Sequence, residues 1–142
     1  MKLPSLGELD QGLPMRIYLC AQPADMRRGF DTLAAAVKEF LGQDPFSGNL
    51  FLFVGRGKDR LKILYWDKDG FALWYKRLEA GVFKLPRAGE GVRSVEMRAS
   101  ELAMVLDGID VSKLKRVPRY ERGAGGKRIN AIHQENKEKI MA

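Results

Sequence analysis

Side chains able to do chemistry are sparse in this chain of 142 residues. It has one histidine, His133, and one cysteine, Cys20, so a zinc site of ordinary Cys/His composition cannot be assembled within it. Nor can a disulfide framework. No serine, cysteine or carboxylate can be assigned to His133 as a catalytic triad, and Cys20, near a strand end, reads as a small buried hydrophobe. Asp25, Asp31, Asp59, Asp67 and Asp69 could together furnish a two-metal nuclease centre, but caps and turns account for most of them. The Asp67-x-Asp69-Gly70 turn lacks the later ligands of a calcium loop. Gly55-Arg56-Gly57 is not followed by the Lys-Ser/Thr and helix of a phosphate loop. No catalytic residue, metal ligand or cofactor is expected.

What remains is cationic and aromatic. Arg27 and Arg28 sit beside Asp25, where a helix is expected to open at Pro23-Ala24-Asp25 with Asp25 as its cap. Arginines in a first turn oppose the helix dipole, a cost that a nearby anion or carboxylate offsets. An Arg27/Asp31 pair on a solvated face is the plain alternative. Downstream, Arg60, Lys62, Trp66, Trp74, Lys76 and Arg77 lie in two segments joined by Asp67-Lys68-Asp69-Gly70. If that turn is a bulged hairpin loop, Asp67 pairs with Phe71. Arg60, Lys62, Trp66, Trp74 and Lys76 then share one sheet face, with cations for phosphates and indoles for stacking. Tryptophans packed under a helix, with basic stems around them, are the alternative. A two- or four-residue loop would move Trp74 and Lys76 to the other face and dissolve the cluster.

The elements needed to position these residues can be read from periodicity. Residues 15–20 form a first strand. Met26, Phe30, Leu33, Val37 and Leu41 make one apolar helical face that ends at Gly42. Strands follow at 50–54, 60–66, 71–78 and 92–97, and Ser100 is expected to cap a short helix over 101–106. The fold class is therefore α+β: a small antiparallel sheet, a meander of four to five strands, packed by one main helix with a short second one. Residues 1–14 read as an irregular extension, 15–117 as the single domain and 118–142 as a basic, partly disordered tail. The net charge is +7, with 25 Lys+Arg against 18 Asp+Glu. Residues 1–110 hold 16 basic and 15 acidic side chains, and 111–142 hold nine and three. Such a surplus favours an anionic partner, nucleic acid first. No apolar run is long enough for a membrane span or a signal peptide, so a cytoplasmic protein is expected.

In order along the chain, Ile17 to Ala34, Asp44-Pro45-Phe46-Ser47-Gly48, Arg60 to Asp67, Gly70 to Glu79 and Leu106 to Asp110 resemble one family. It is the TnpB-type accessory protein, the second open reading frame, of the insertion sequence 66 family. The resemblance spans about Met15 to Asp110; residues 1–14 and the chain after about Val117 depart from it. It implies a bacterial mobile-element protein without known catalysis that assists transposition beside a separate transposase. The expected function is thus a non-catalytic accessory factor binding DNA at the element ends, the transposase, or both. Arg27, Arg28, Arg60, Lys62, Lys76 and Arg77 would contact phosphates, and Trp66 and Trp74 would stack or meet a protein. A pure transposase adaptor is the alternative, and a metal-dependent nuclease a more remote one.

Overall fold

The computed structural model describes residues 15–113, so the expected N-terminal extension and basic tail lie outside the described residues. Five strands form one sheet: β1 (Ile17–Cys20), β2 (Leu50–Val54), β3 (Arg60–Asp67), β4 (Gly70–Arg77) and β5 (Ser94–Met97). Two helices accompany it, α1 (Phe30–Glu39) and α2 (Ala99–Leu106). The fold is α+β, as its apolar periodicity leads one to expect. The strand order is β4-β3-β2-β1-β5. One pairing departs from an all-antiparallel meander: β1 runs parallel to β2, with Ile17 opposite Leu50 and Leu19 opposite Leu52. A parallel neighbour needs a crossover rather than a hairpin, and α1 provides it.

Both faces of the sheet are covered, and each has its own helix. Leu33, Val37 and Leu41 of the α1 region pack on Tyr18, Phe51, Phe53 and Leu64. On the other face, Leu102 and Val105 of α2 pack with Ile17, Leu19, Leu50, Leu52 and Ile63, joined by Phe83 and Val111. This explains why β2 reads as an unbroken apolar run: all five of its residues are buried, two toward α1 and three toward α2.

The main helix starts later than its periodicity suggests. Phe30, not the Pro23–Asp25 segment, is its first residue, and Gly29 stands at the cap position without a side-chain bond. The preceding residues are committed elsewhere. Ala24 forms a bridge with Gly55 and donates its N–H to the Val54 carbonyl at 2.8 Å. Asp25 accepts the Arg27 N–H at 2.9 Å, an Asx turn rather than a helix cap. The first helical bond therefore runs from Leu33 N–H to the Gly29 carbonyl. At the far end Gly42 adopts a φ of 64°, which turns the chain out of the helix. The second helix, by contrast, starts two residues early: Arg98, not Ser100, is its cap residue, and Glu101 accepts the Arg98 N–H.

The β3–β4 hairpin corrects the expected register. Asp67 pairs with Gly70 and Trp66 with Phe71, so the loop has two residues, Lys68 and Asp69. Lys68 takes a φ of 55°, and Asp69 N–H donates to the Asp67 carbonyl across it, closing the tight turn without a bulge. Side chains alternate across a strand, so this one-residue difference moves every side chain of β4 to the opposite face. Trp74 and Lys76 now lie opposite Ile63 and Leu61, on the α2 side, while Lys62 faces Tyr75 and Trp66 faces Phe71 on the α1 side. The expected face of five cations and indoles does not form.

Candidate nucleic-acid interface

The parallel pair decides where the basic residues meet. Because β1 and β2 run the same way, both deliver their carboxyl ends, Cys20 and Val54, to one end of the sheet. The connections that leave there are 21–29 and 55–59. Antiparallel β3 starts at the same end with Arg60, and β4 finishes there with Arg77. Crevices beyond the carboxyl ends of parallel strands are where open α/β sheets bind ligands.

Two adjoining grooves occupy this end and share Pro23 and Gly55. One, of about 630 Å³, is lined by Arg27, Arg28, Arg56 and Arg60, with Asp25 and Asp59. The other, of about 720 Å³, is lined by Lys58, Lys84, Arg87 and Lys113, with Asp110 as its one carboxylate. Together they carry eight cations against three carboxylates, a balance of +5. All the other described residues hold eight cations and ten carboxylates, a balance of −2. Charge on the folded body is therefore segregated to one end.

The carboxylates engage only part of the cationic set. Asp25 and Arg27 form a forked pair, with Nε–Oδ1 at 3.0 Å and Nη2–Oδ2 at 2.9 Å. The side-chain and backbone bonds from Arg27 hold the Asp25 carboxyl down at about 2, against an ordinary 3.8. The Ser112 hydroxyl and N–H, followed by the Lys113 and Lys84 charges, lower Asp110 in the same sense. Arg28, Arg56, Arg60 and Arg87 are exposed and enter no ion pair among the described residues. Arg60 also stands directly across from Arg77, whose own partner is Glu79 at 3.0 Å. Like charges facing each other in a cross-strand pair are unfavourable, and an anion between them reverses the sign.

The Asp25 carboxyl makes a direct test of the rim's geometry. Its folded pKa lies below the unfolded one, so its favourable contribution is complete above about pH 4 and is lost as pH falls through about 2. Carbon-detected NMR titration is expected to place Asp25 near 2, and Arg27→Gln to return it toward 3.8. An unchanged value in the variant would show that the fork is not the cause.

Of the residues singled out by sequence, Arg27, Arg28 and Arg60 are brought together in one groove. Arg77 lies beside Arg60, and Lys76 is exposed on the opposite face of the same strand end. Three others serve differently. Lys62 is 7 % exposed. Its ammonium donates to the carbonyls of Met26 at 2.7 Å and Arg28 at 2.8 Å, and sits 4.8 Å from the Tyr75 ring centre. It is thus no phosphate ligand but the pin that shapes the arginine loop. Trp66 packs edge-on against Phe46 and Phe71, both with ring centres 5.0 Å away. It lies at the end of β3 remote from Arg60, six residues or roughly 20 Å along the strand. Trp74 packs into the α2-side core.

Sequence reasoning passed over Arg56, Lys58, Lys84, Arg87 and Lys113. The alternation Gly55-Arg56-Gly57-Lys58, two cations on a glycine turn, was the available signal for the first two. Only the fold brings the other three to the same rim. Among the described residues, no group of three His, Cys, Asp or Glu side chains could hold a metal ion. No described helix is long and apolar enough to cross a membrane.

Comparison with known proteins agrees with the motif pattern. The uncharacterised protein y4jC of Sinorhizobium fredii is 38% identical over 104 residues, covering 73% of this chain and 87% of the relative. A second protein of that organism, the uncharacterised y4hO, is 38% identical over 102 residues, covering 72% and 87%. No solved structure matches the chain. The family described as IS66 Orf2 like protein matches residues 15–116, a span that takes in the whole sheet, both helices and the cationic end. The chain belongs to the IS66 Orf2-like family, a family associated with insertion-sequence transposition.

Proposed function

We propose that this protein is a non-catalytic accessory factor in transposition that holds DNA phosphates against its cationic end, with the element's transposase as protein partner. The observation that carries the reading is charge segregation, +5 in the two grooves against −2 over the other described residues. The groove arginines present planar forks suited to phosphate oxygens, and those without carboxylate partners are free to make such contacts. Among the described residues no exposed aromatic ring lines either groove, and the one aromatic ring there is the buried Phe83. The contact is therefore to the sugar-phosphate backbone, which positions a protein on DNA without reading bases. Arg27, Arg28, Arg56 and Arg60 are the leading phosphate contacts, with Arg77 and Lys76 flanking them. The test is a fluorescence-anisotropy titration with duplex DNA from the element end at two salt concentrations. Affinity is expected to fall steeply with salt; absence of binding, or binding without a salt slope, rejects the reading.

The adaptor reading keeps one observation of its own. Phe46, 57% exposed, crowns Trp66 and Phe71 at the end of the sheet away from the cations. Aromatic clusters of this kind are typical anchors of protein interfaces. A Phe46→Ala variant is expected to reduce transposase co-purification by roughly tenfold while leaving DNA affinity unchanged. Equal retention of transposase would remove this patch from consideration.

A further inference from the structure

The two edges of the sheet differ. β5, at one edge, has four residues, and short edge strands offer little to pair with. β4, at the other, has eight, and among the described residues no strand or loop bonds along its outer side. Leu78 N–H donates to the Asp59 carbonyl at 2.7 Å, which sets the alternation of the β3–β4 ladder. Even-numbered residues of β4 bond inward, so the N–H and C=O groups of Phe71, Leu73, Tyr75 and Arg77 point outward. Proteins usually blunt such an edge with charges, proline or a bulge; β4 carries charges only at its end, Lys76 and Arg77, and residues 70–75 carry none of these.

We infer that the outer edge of β4 pairs antiparallel with β4 of a second copy of this chain, joining two sheets into one of ten strands. Charge and aromatic complementarity name the occupant. A twofold axis normal to the sheet allows only registers in which a residue pairs with one of the same parity. Centred on Leu73, the pairing sets Tyr75 against Phe71 and Arg77 against Asp69, each twice by symmetry. Tyr75, 47% exposed in the single chain, gains an aromatic neighbour already in contact with Phe46 and Trp66. The cationic end of each strand meets the acidic turn of the other. A register centred on Ala72 would set Arg77 against Asp67 but oppose Lys76 to Lys68 and leave Tyr75 facing Asp69. One centred on Trp74 would leave Arg77 facing Phe71 with no carboxylate. The Leu73-centred register is the one that matches on both counts.

Reciprocal charge exchange tests this on the full chain, since Asp69 and Arg77 are both exposed and neither packs in the core. Sedimentation equilibrium over a concentration series is expected to show a reversible dimer. Asp69→Arg or Arg77→Asp alone is expected to weaken it by roughly tenfold, because each places like charges opposite at two symmetric points. The double variant Asp69→Arg/Arg77→Asp is expected to recover most of the loss, with thermal melts of all variants close to the parent. A monomer at every concentration overturns the inference. So does a dimer indifferent to the exchange, or an edge that pairs only with transposase.

Discussion

Replacing Arg28, Arg56 and Arg60 together by alanine is expected to weaken duplex DNA binding on the order of 100-fold near physiological salt. The same variant is expected to lower the slope of log affinity against log salt by roughly 2.7, since each of the three lost phosphate contacts removes about 0.9. All three side chains are exposed, line one groove and enter no ion pair among the described residues, so their loss strands no partner there. The melting temperature should accordingly move by no more than a few degrees, in either direction. A double variant outside the grooves, Lys38→Ala/Lys68→Ala, removes two charges and should leave most of the affinity and slope intact. If both variants lose affinity in proportion to charge removed, binding follows net charge and not the cationic end. Titrations at three salt concentrations separate the two outcomes.

The second large effect concerns a residue whose basic character suggests DNA and whose position forbids it. Lys62→Met is expected to cost about 2 kcal/mol of stability, lowering the melting temperature by roughly 10 °C. Methionine keeps the packing of the stem but abandons two charge-assisted bonds to the Met26 and Arg28 carbonyls. Those carbonyls lie at the groove and regain water in part, which keeps the cost below that of a fully sealed pair. The loss should also be local. Amide exchange is expected to accelerate over residues 25–30 more than over β2, the most enclosed strand. DNA affinity should then fall several-fold without any phosphate contact being removed, because Arg27 and Arg28 must be ordered on binding. Uniform acceleration across the sheet would mean that Lys62 acts only through the global core.

Much of the fold was legible because strong local signals agreed with one another. The run Leu50–Val54, the alternation of β3 and the three- and four-residue spacing of Leu33, Val37 and Leu41 each specify an element alone. What escaped was set at longer range or by one residue. The parallel β1–β2 pairing has no signature in either strand. It follows from how a helix crosses the sheet, yet it is what gathers the grooves. The hairpin register turned on whether Gly70 closes the loop or lies in it, and Asp-x-Asp-Gly is compatible with both. That single residue separated Trp66 from Trp74 and removed the expected platform. Lys62 could not be told from Lys76 by composition. Its burial depends on the carbonyls of a loop more than thirty residues away in sequence. Arg28 and Arg60, by contrast, were singled out by type and position, and the fold places both in one groove.

β1 lies between β2 and β5, so the first strand of the domain is an interior strand of the sheet. Its partner Met97 follows Ile17 by 80 residues. During synthesis, β2, β3 and β4 can zip together by short hairpins while one side of β1 still waits for a strand not yet made. A chain interrupted anywhere before Ser94 would therefore present the apolar Ile17–Cys20 strand as an open edge, inviting the wrong neighbour. Shortened versions of this domain should accordingly be cut beyond Val111, which packs in the α2-side core, never within the segment that leads to β5.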